Sequence, residues 1–166
     1  MLVYHPVSDA YHCVFRLLAI LDLRSSLEVD LLRILDFVLC FPSVAGEFRM
    51  PQNMAALRRD AKAQMNVYRS PLNAKTMFLN LRPTHDGALA CLASSGFLVP
   101  DELQHGRAVR TVHSLPTNLQ ERCKGFQRAE SVFFSQLMPA FLSLPLHGAN
   151  GLKDRSGLME YRYDNV

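Results

Sequence analysis

The chain has 166 residues, 49% hydrophobic and 20% charged, with a net charge of +3. That suits one globular domain with a core of its own, or two small lobes sharing one. No apolar run approaches the roughly 18 residues of a membrane span. The first residues also lack the basic n-region and small-residue cleavage site of a signal peptide, so a cytoplasmic protein is expected.

In chain order, Met1 to Val7 reads as a short extended lead. A helix capped by Ser8 should follow, with Asp9 in its first turn, running to about Leu23. Its apolar face is Tyr11, Val14, Phe15, Leu18 and Leu21. Only Arg24 separates Leu23 from the next start signal, which predicts a tight turn and an antiparallel helical hairpin. The second helix is expected from Ser25, paired with Glu28 as a capping box, to Pro42. It is apolar nearly all round (Leu27, Leu31, Leu32, Ile34, Leu35, Phe37, Val38, Leu39, Phe41), so it should lie in the middle of the domain. Asp36 sits inside that run; if buried, it needs a partner, and Arg16 and Arg33 are the candidates. Arg16 and Asp36 are thus read as structural residues.

A third helix is expected from about Asn53 to Tyr68, with Arg58, Arg59 and Lys62 largely opposite Met54, Leu57, Ala61, Met65 and Tyr68. Asn73–Leu81 reads as a short helix. Another, capped by Thr84, should end at Gly96. Asp101-Glu102 belongs to a polar loop, and Arg107–His113 has the β-branched content of one short strand. The longest helical pattern runs from about Asn118 to Leu142, kinked or divided at Pro139. In the tail, Leu158–Tyr163 is apolar enough to dock, as an edge strand on residues 107–113. The expected fold is therefore mainly α with a small β element. It forms a single domain, 1–166, comprising a helical lobe (1–70), a winged-helix-like segment (71–116), a helix (117–145) and a docked tail (146–166).

Charge is unevenly spread. Residues 1–48 sum to −3, residues 49–82 to +6, and residues 83–166 balance. The basic band is either a solvated face or a surface that meets phosphates or an acidic partner. On a winged-helix reading, Arg58, Arg59, Lys62, Lys75, Arg82, Arg107 and Arg110 are the candidate contacts to DNA or to that partner, with Asn73 and His85 as further polar groups near the phosphates.

No catalytic motif emerges. Cys13, Cys40, Cys91 and Cys123 lie far apart without Cys-x-x-Cys, and read as reduced core thiols. The histidines show no metal-ligand spacing. Cys13 beside His12 would diverge by about 100° on a helix, which makes a buried cysteine the better reading than a nucleophile–base pair. Neither cofactor nor metal is expected, and no enzyme activity.

Three landmarks together resemble one family. They are Tyr4-His5-Pro6 with Asp9, Tyr11-His12 and Phe15–Leu18; Arg33–Phe37 ending at Phe41-Pro42; and Gly151–Asp164. The likeness is to the small middle-component proteins of bacterial ABC-three-component systems, the group that includes the Lamassu accessory subunit. That resemblance implies a non-catalytic adaptor in anti-phage or anti-plasmid defence. Its partners would be an SMC-like ABC ATPase and an effector, often a nuclease, with DNA reached through the complex and no membrane. Lys153, Arg155, Tyr161 and Arg162 would then present a docking tail; alternatively, Tyr161 packs on the core and the three cations are solvated. A stand-alone winged-helix DNA-binding regulator is the competing expectation.

Overall fold

The computed structural model describes residues 9–66 and 70–160. The expected extended lead, the Ser8 cap, Tyr68, and the tail residues Tyr161, Arg162 and Tyr163 lie outside them. The architecture is mainly helical with one small antiparallel sheet, as the sequence predicts. Contacts divide the chain into two compact units, one of residues 1–36 and 81–129, the other of residues 37–80 and 130–166. Helix α2 carries the chain from the first into the second.

In the first unit, α1 (Ala10–Leu23) is capped by Asp9, whose carboxylate accepts from the Tyr11 and His12 N–H groups. α1 packs on α5 (Arg82–Ser94) and α7 (Thr117–Ala129). Its buried positions are Cys13, Arg16, Leu17, Leu18, Ala19, Ile20 and Leu21. Tyr11, expected on the apolar face, is instead 63% exposed. Phe15 meets Phe126 of α7 edge-on at 5.3 Å, and the Gln127 side-chain amide donates to the Ala19 carbonyl at 3.0 Å.

The expected tight turn and capping box after α1 do not form. Ser26–Glu28 is a strand, β1, paired antiparallel with β2 (Arg107–Val109) in the register Leu27 opposite Ala108. α2 (Val29–Cys40) begins only afterwards. Ser25 and Glu28 could cap a helix locally, but the backbone groups of residues 26–28 are satisfied by the ladder instead. The Val29 N–H, one of the donors that a helix start leaves open, finds the Gly106 carbonyl at 2.8 Å. The other side of β2 meets residues 97–99, with Leu98 bridging Arg110. The strand is thus shorter than expected, and residues 158–160 do not pair with it.

α5 also starts two residues before the expected Thr84 cap: Pro83 sits in its first turn, where the missing N–H costs nothing. Gly96 ends it with φ +78°, as expected of a left-handed terminator. Asp101 and Glu102 lie in a short helix, α6 (Pro100–Gln104), rather than in a loop; Pro100 and the two acids of its first turn favour a helix start.

In the second unit, Phe37 stacks edge-on with Phe41 at 5.2 Å and with Phe78 of α4 (Ala74–Asn80) at 5.4 Å. Phe48 packs on Phe141 at 5.7 Å. A 3-10 helix, Pro42–Glu47, supports α3 (Ala55–Ala63). The two come so close at Gly46 that an added Cβ would sit 2.7 Å from the Lys62 backbone. The expected long helix is broken: after α7, a π-helical stretch, Phe133–Leu137, leads into α8 (Met138–Leu142). Pro139 has no N–H to donate, and the turn before it widens so that the Met138 N–H reaches back to the Phe133 carbonyl. The tail forms a short helix, α9 (Leu152–Ser156), ended by Gly157 at φ +65°.

Candidate functional site

The densest chemistry in the described residues is a buried cluster in the first unit. α2 is so apolar that seven residues into it Asp36 has nowhere to go but the core, and it is fully buried. Arg16, on α1, donates from Nε to one carboxylate oxygen at 2.7 Å and from a terminal nitrogen to the other at 3.0 Å. Of the two partners the sequence offers Asp36, Arg16 is the one used. Arg33 bonds instead to Asp30, at 3.5 Å, and to Asp86. A third donor comes from α5: His85 Nε2 lies 2.9 Å from Asp36 Oδ2. His85 is 1% exposed, so it is no phosphate contact, contrary to the winged-helix reading.

Burial alone would push the Asp36 carboxyl up. Hydrogen bonds from His85 and Arg16, and the guanidinium charge, outweigh it and hold the group below the ordinary carboxylate range. Close by, burial and the Asp36 charge drive the Cys13 thiol up to about 12, against the opposing pull of Arg16. At neutral pH that thiol is protonated and sealed, the opposite of an activated nucleophile. Its neighbour His12 is exposed. Cys123 is buried as expected and pushed to about 11, burial being the main cause. Cys91, however, is exposed rather than in the core.

Cys13, Asp36 and His85 offer one sulfur, one oxygen and one nitrogen within 4.8 Å of one another. The sequence spacing gave no hint of this convergence, which three helices create. The donor types would suit zinc, but the surroundings do not. Both Asp36 oxygens already accept from Arg16, whose positive charge would sit against the ion. A ligating imidazole normally donates its second N–H to an outer acceptor. His85 Nδ1 is buried with no partner among the described residues. Arg16 already opposes the Asp36 charge without a metal, and the bonds to Asp36 tie α1 and α5 to α2.

The sequence signal for His85 was present: His85, Ala88, Leu89 and Leu92 recur at i, i+3, i+4 and i+7, and all four are buried. Its place on the inner stripe outranks its chemistry as a guide to role.

The remaining candidates are scattered. Arg58, Arg59 and Lys62 share α3 and are exposed; Arg58 Nε donates to the Gly46 carbonyl at 3.0 Å. Lys75 on α4 pairs with Glu160 at 3.3 Å. Asn73 caps α4 through its side-chain oxygen, which accepts from the Thr76 N–H at 2.9 Å. Arg82 is exposed at the start of α5. Arg107 lies 3.7 Å from Glu102 and donates to Ser26. Arg110 lies over the Phe97 ring, 5.9 Å from its centre, and donates to the His113 carbonyl. In the tail, Lys153 is 3% exposed, which removes it from any docking surface of this chain. Arg155 is spent on the carbonyls of Arg49 and Asn150. Tyr161 and Arg162 lie outside the described residues.

Comparisons with curated proteins and with solved structures gave no match. A family model does match, over residues 2–164, and its description is ABC-three component (ABC-3C) system Middle Component 5. The chain belongs to this middle-component family, and is therefore one component of a multi-component ABC system.

Proposed function

We propose that this protein is a non-catalytic adaptor that links an SMC-like ABC ATPase sensor to an effector nuclease in anti-phage or anti-plasmid defence of the Lamassu type. The observation that carries the reading is the state of the Asp36 cluster. The one described group of acid, imidazole and thiol side chains is buried, its carboxylate already accepts from Arg16 and His85, and its thiol is pushed up to about 12 and so stays protonated at neutral pH. Chemistry then belongs to the other components, and this chain contributes surfaces. No helix among the described residues is long and apolar enough to cross a membrane, which accords with assembly in the cytoplasm. Co-expression of the three components tests the reading: the chain should co-purify with both others, and alone should neither hydrolyse ATP nor cut DNA. Recovery of the chain free of both partners, or turnover by it alone, would overturn it.

A further inference from the structure

Resting on the adaptor reading, we infer that the exposed row Arg58, Arg59 and Lys62 on α3, continued by Met65 in the turn that closes it, is the docking surface for an acidic helical segment, carrying apolar side chains, of another component of the system. Four observations support it. First, the three cations have no acidic partner among the described residues. Lys75 and Arg107 have acidic partners, and Arg49 has Asp154. Arg59 and Lys62 have no hydrogen-bonded or ionic side-chain partner among the described residues, and Arg58 is met only by a carbonyl. Asp60 is the one acid on the helix, and Glu47, at the end of the supporting 3-10 helix, pairs with none of the three.

Second, α3 spends almost nothing on the core. Ala61 is its one buried residue, and Arg58, Arg59 and Lys62 are exposed. Third, the helix is nevertheless held firmly, through the close backbone approach at Gly46 and the Arg58 bond to the same residue. The row is presented on a fixed support, which lowers the ordering cost of binding.

Fourth, the row ends in an apolar group. Met65 is 61% exposed in the turn that closes α3 and falls at i+3 from Lys62 and i+7 from Arg58. From Arg58 to Met65 the row spans about 10 Å, two turns of a facing helix. An acidic, partly apolar protein segment matches this mixture. A phosphate backbone would meet the three cations but offers Met65 no apolar partner.

The test uses the full chain and the co-expressed components. Arg59→Glu with Lys62→Glu removes the charge row while sparing the Arg58 bond. Lys124→Glu with Arg128→Glu on exposed α7 is the matched control. With melting unchanged, the α3 variant should lose about tenfold or more in affinity for the component that binds at low salt, and the deficit should shrink as salt approaches 1 M. The control should bind like the wild type. Equal binding by all three proteins overturns the inference while leaving the adaptor reading intact; failure of any component to bind the wild type overturns both. Tight binding of a 20-base-pair duplex that the α3 variant alone loses, with component binding unchanged, assigns the row to DNA and also overturns it.

Discussion

Replacing Arg16 by methionine strands a charge in the core. Asp36 is fully buried, and Arg16 supplies two of the three side-chain hydrogen bonds to its carboxylate, at 2.7 and 3.0 Å. Removing one partner of such a pair leaves the other uncompensated, at a cost of about 3–5 kcal/mol. For a chain of this size that is a fall in Tm of roughly 6–20 °C. The pH dependence sharpens the expectation. In the wild type the Asp36 carboxyl is held below its ordinary value, so its contribution is present above the usual carboxylate range and is lost only as pH falls through the depressed folded value. In the variant, burial dominates and the carboxyl moves up instead, so acidification relieves the penalty. The gap between the two proteins, measured by urea unfolding, should therefore narrow as pH drops from 7 towards 5. Adding Asp36→Leu should recover about 2 kcal/mol or more relative to the sum of the single effects. A loss under about 1 kcal/mol for Arg16→Met, or a gap constant across that pH range, would refute the reasoning.

Three further outcomes are expected. His85→Phe keeps an aromatic ring in the core but deletes the third donor to Asp36, and should cost about 1–3 kcal/mol in chemical denaturation; a neutral result would show that Nε2 contributes nothing. Gly46→Ala forces a methyl group against the Lys62 backbone and should cost about 1–3 kcal/mol, with amide exchange rising in α3; unchanged exchange there would remove the close approach as a constraint. With a thiol reagent at pH 7.5, exposed Cys91 should react first while Cys13 and Cys123 stay protected until unfolding; Cys13 labelling as fast as Cys91 would contradict a sealed cluster.

Local signals foretold elements whose neighbours agreed with them. α4, the Gly96 terminator of α5 and the burial of Asp36 against an arginine follow from spacing, a left-handed stop and the cost of an unpaired charge. β1 was hidden because Ser25 and Glu28 make a plausible helix cap, and only the distant Arg107–Val109 segment makes a strand preferable. The π-helical stretch was hidden for a different reason: Pro139 announces an irregularity, but not that the turn before it becomes π-helical or that α7 already ends at Ala129. Half of the buried cluster was legible. Asp36 and Arg16 betray themselves as charges in apolar company. His85 does not, since a histidine beside Arg82 and Asp86 looks like surface until its i+3 and i+4 neighbours are weighed. The α3 cations were readable as a basic band. That Lys75 and Arg107 are met by acids while Arg58, Arg59 and Lys62 have no acidic partner among the described residues depends on Glu160 and Glu102, which only the fold brings near.

The most direct measurement is the mass of the assembly formed when all three components are co-expressed, with the chain's own turnover assayed separately. The account predicts one complex containing this chain and both partners, and no ATP or DNA turnover by the chain alone. A chain that elutes by itself, or that turns over substrate and loses that activity on Asp36→Asn, would contradict it.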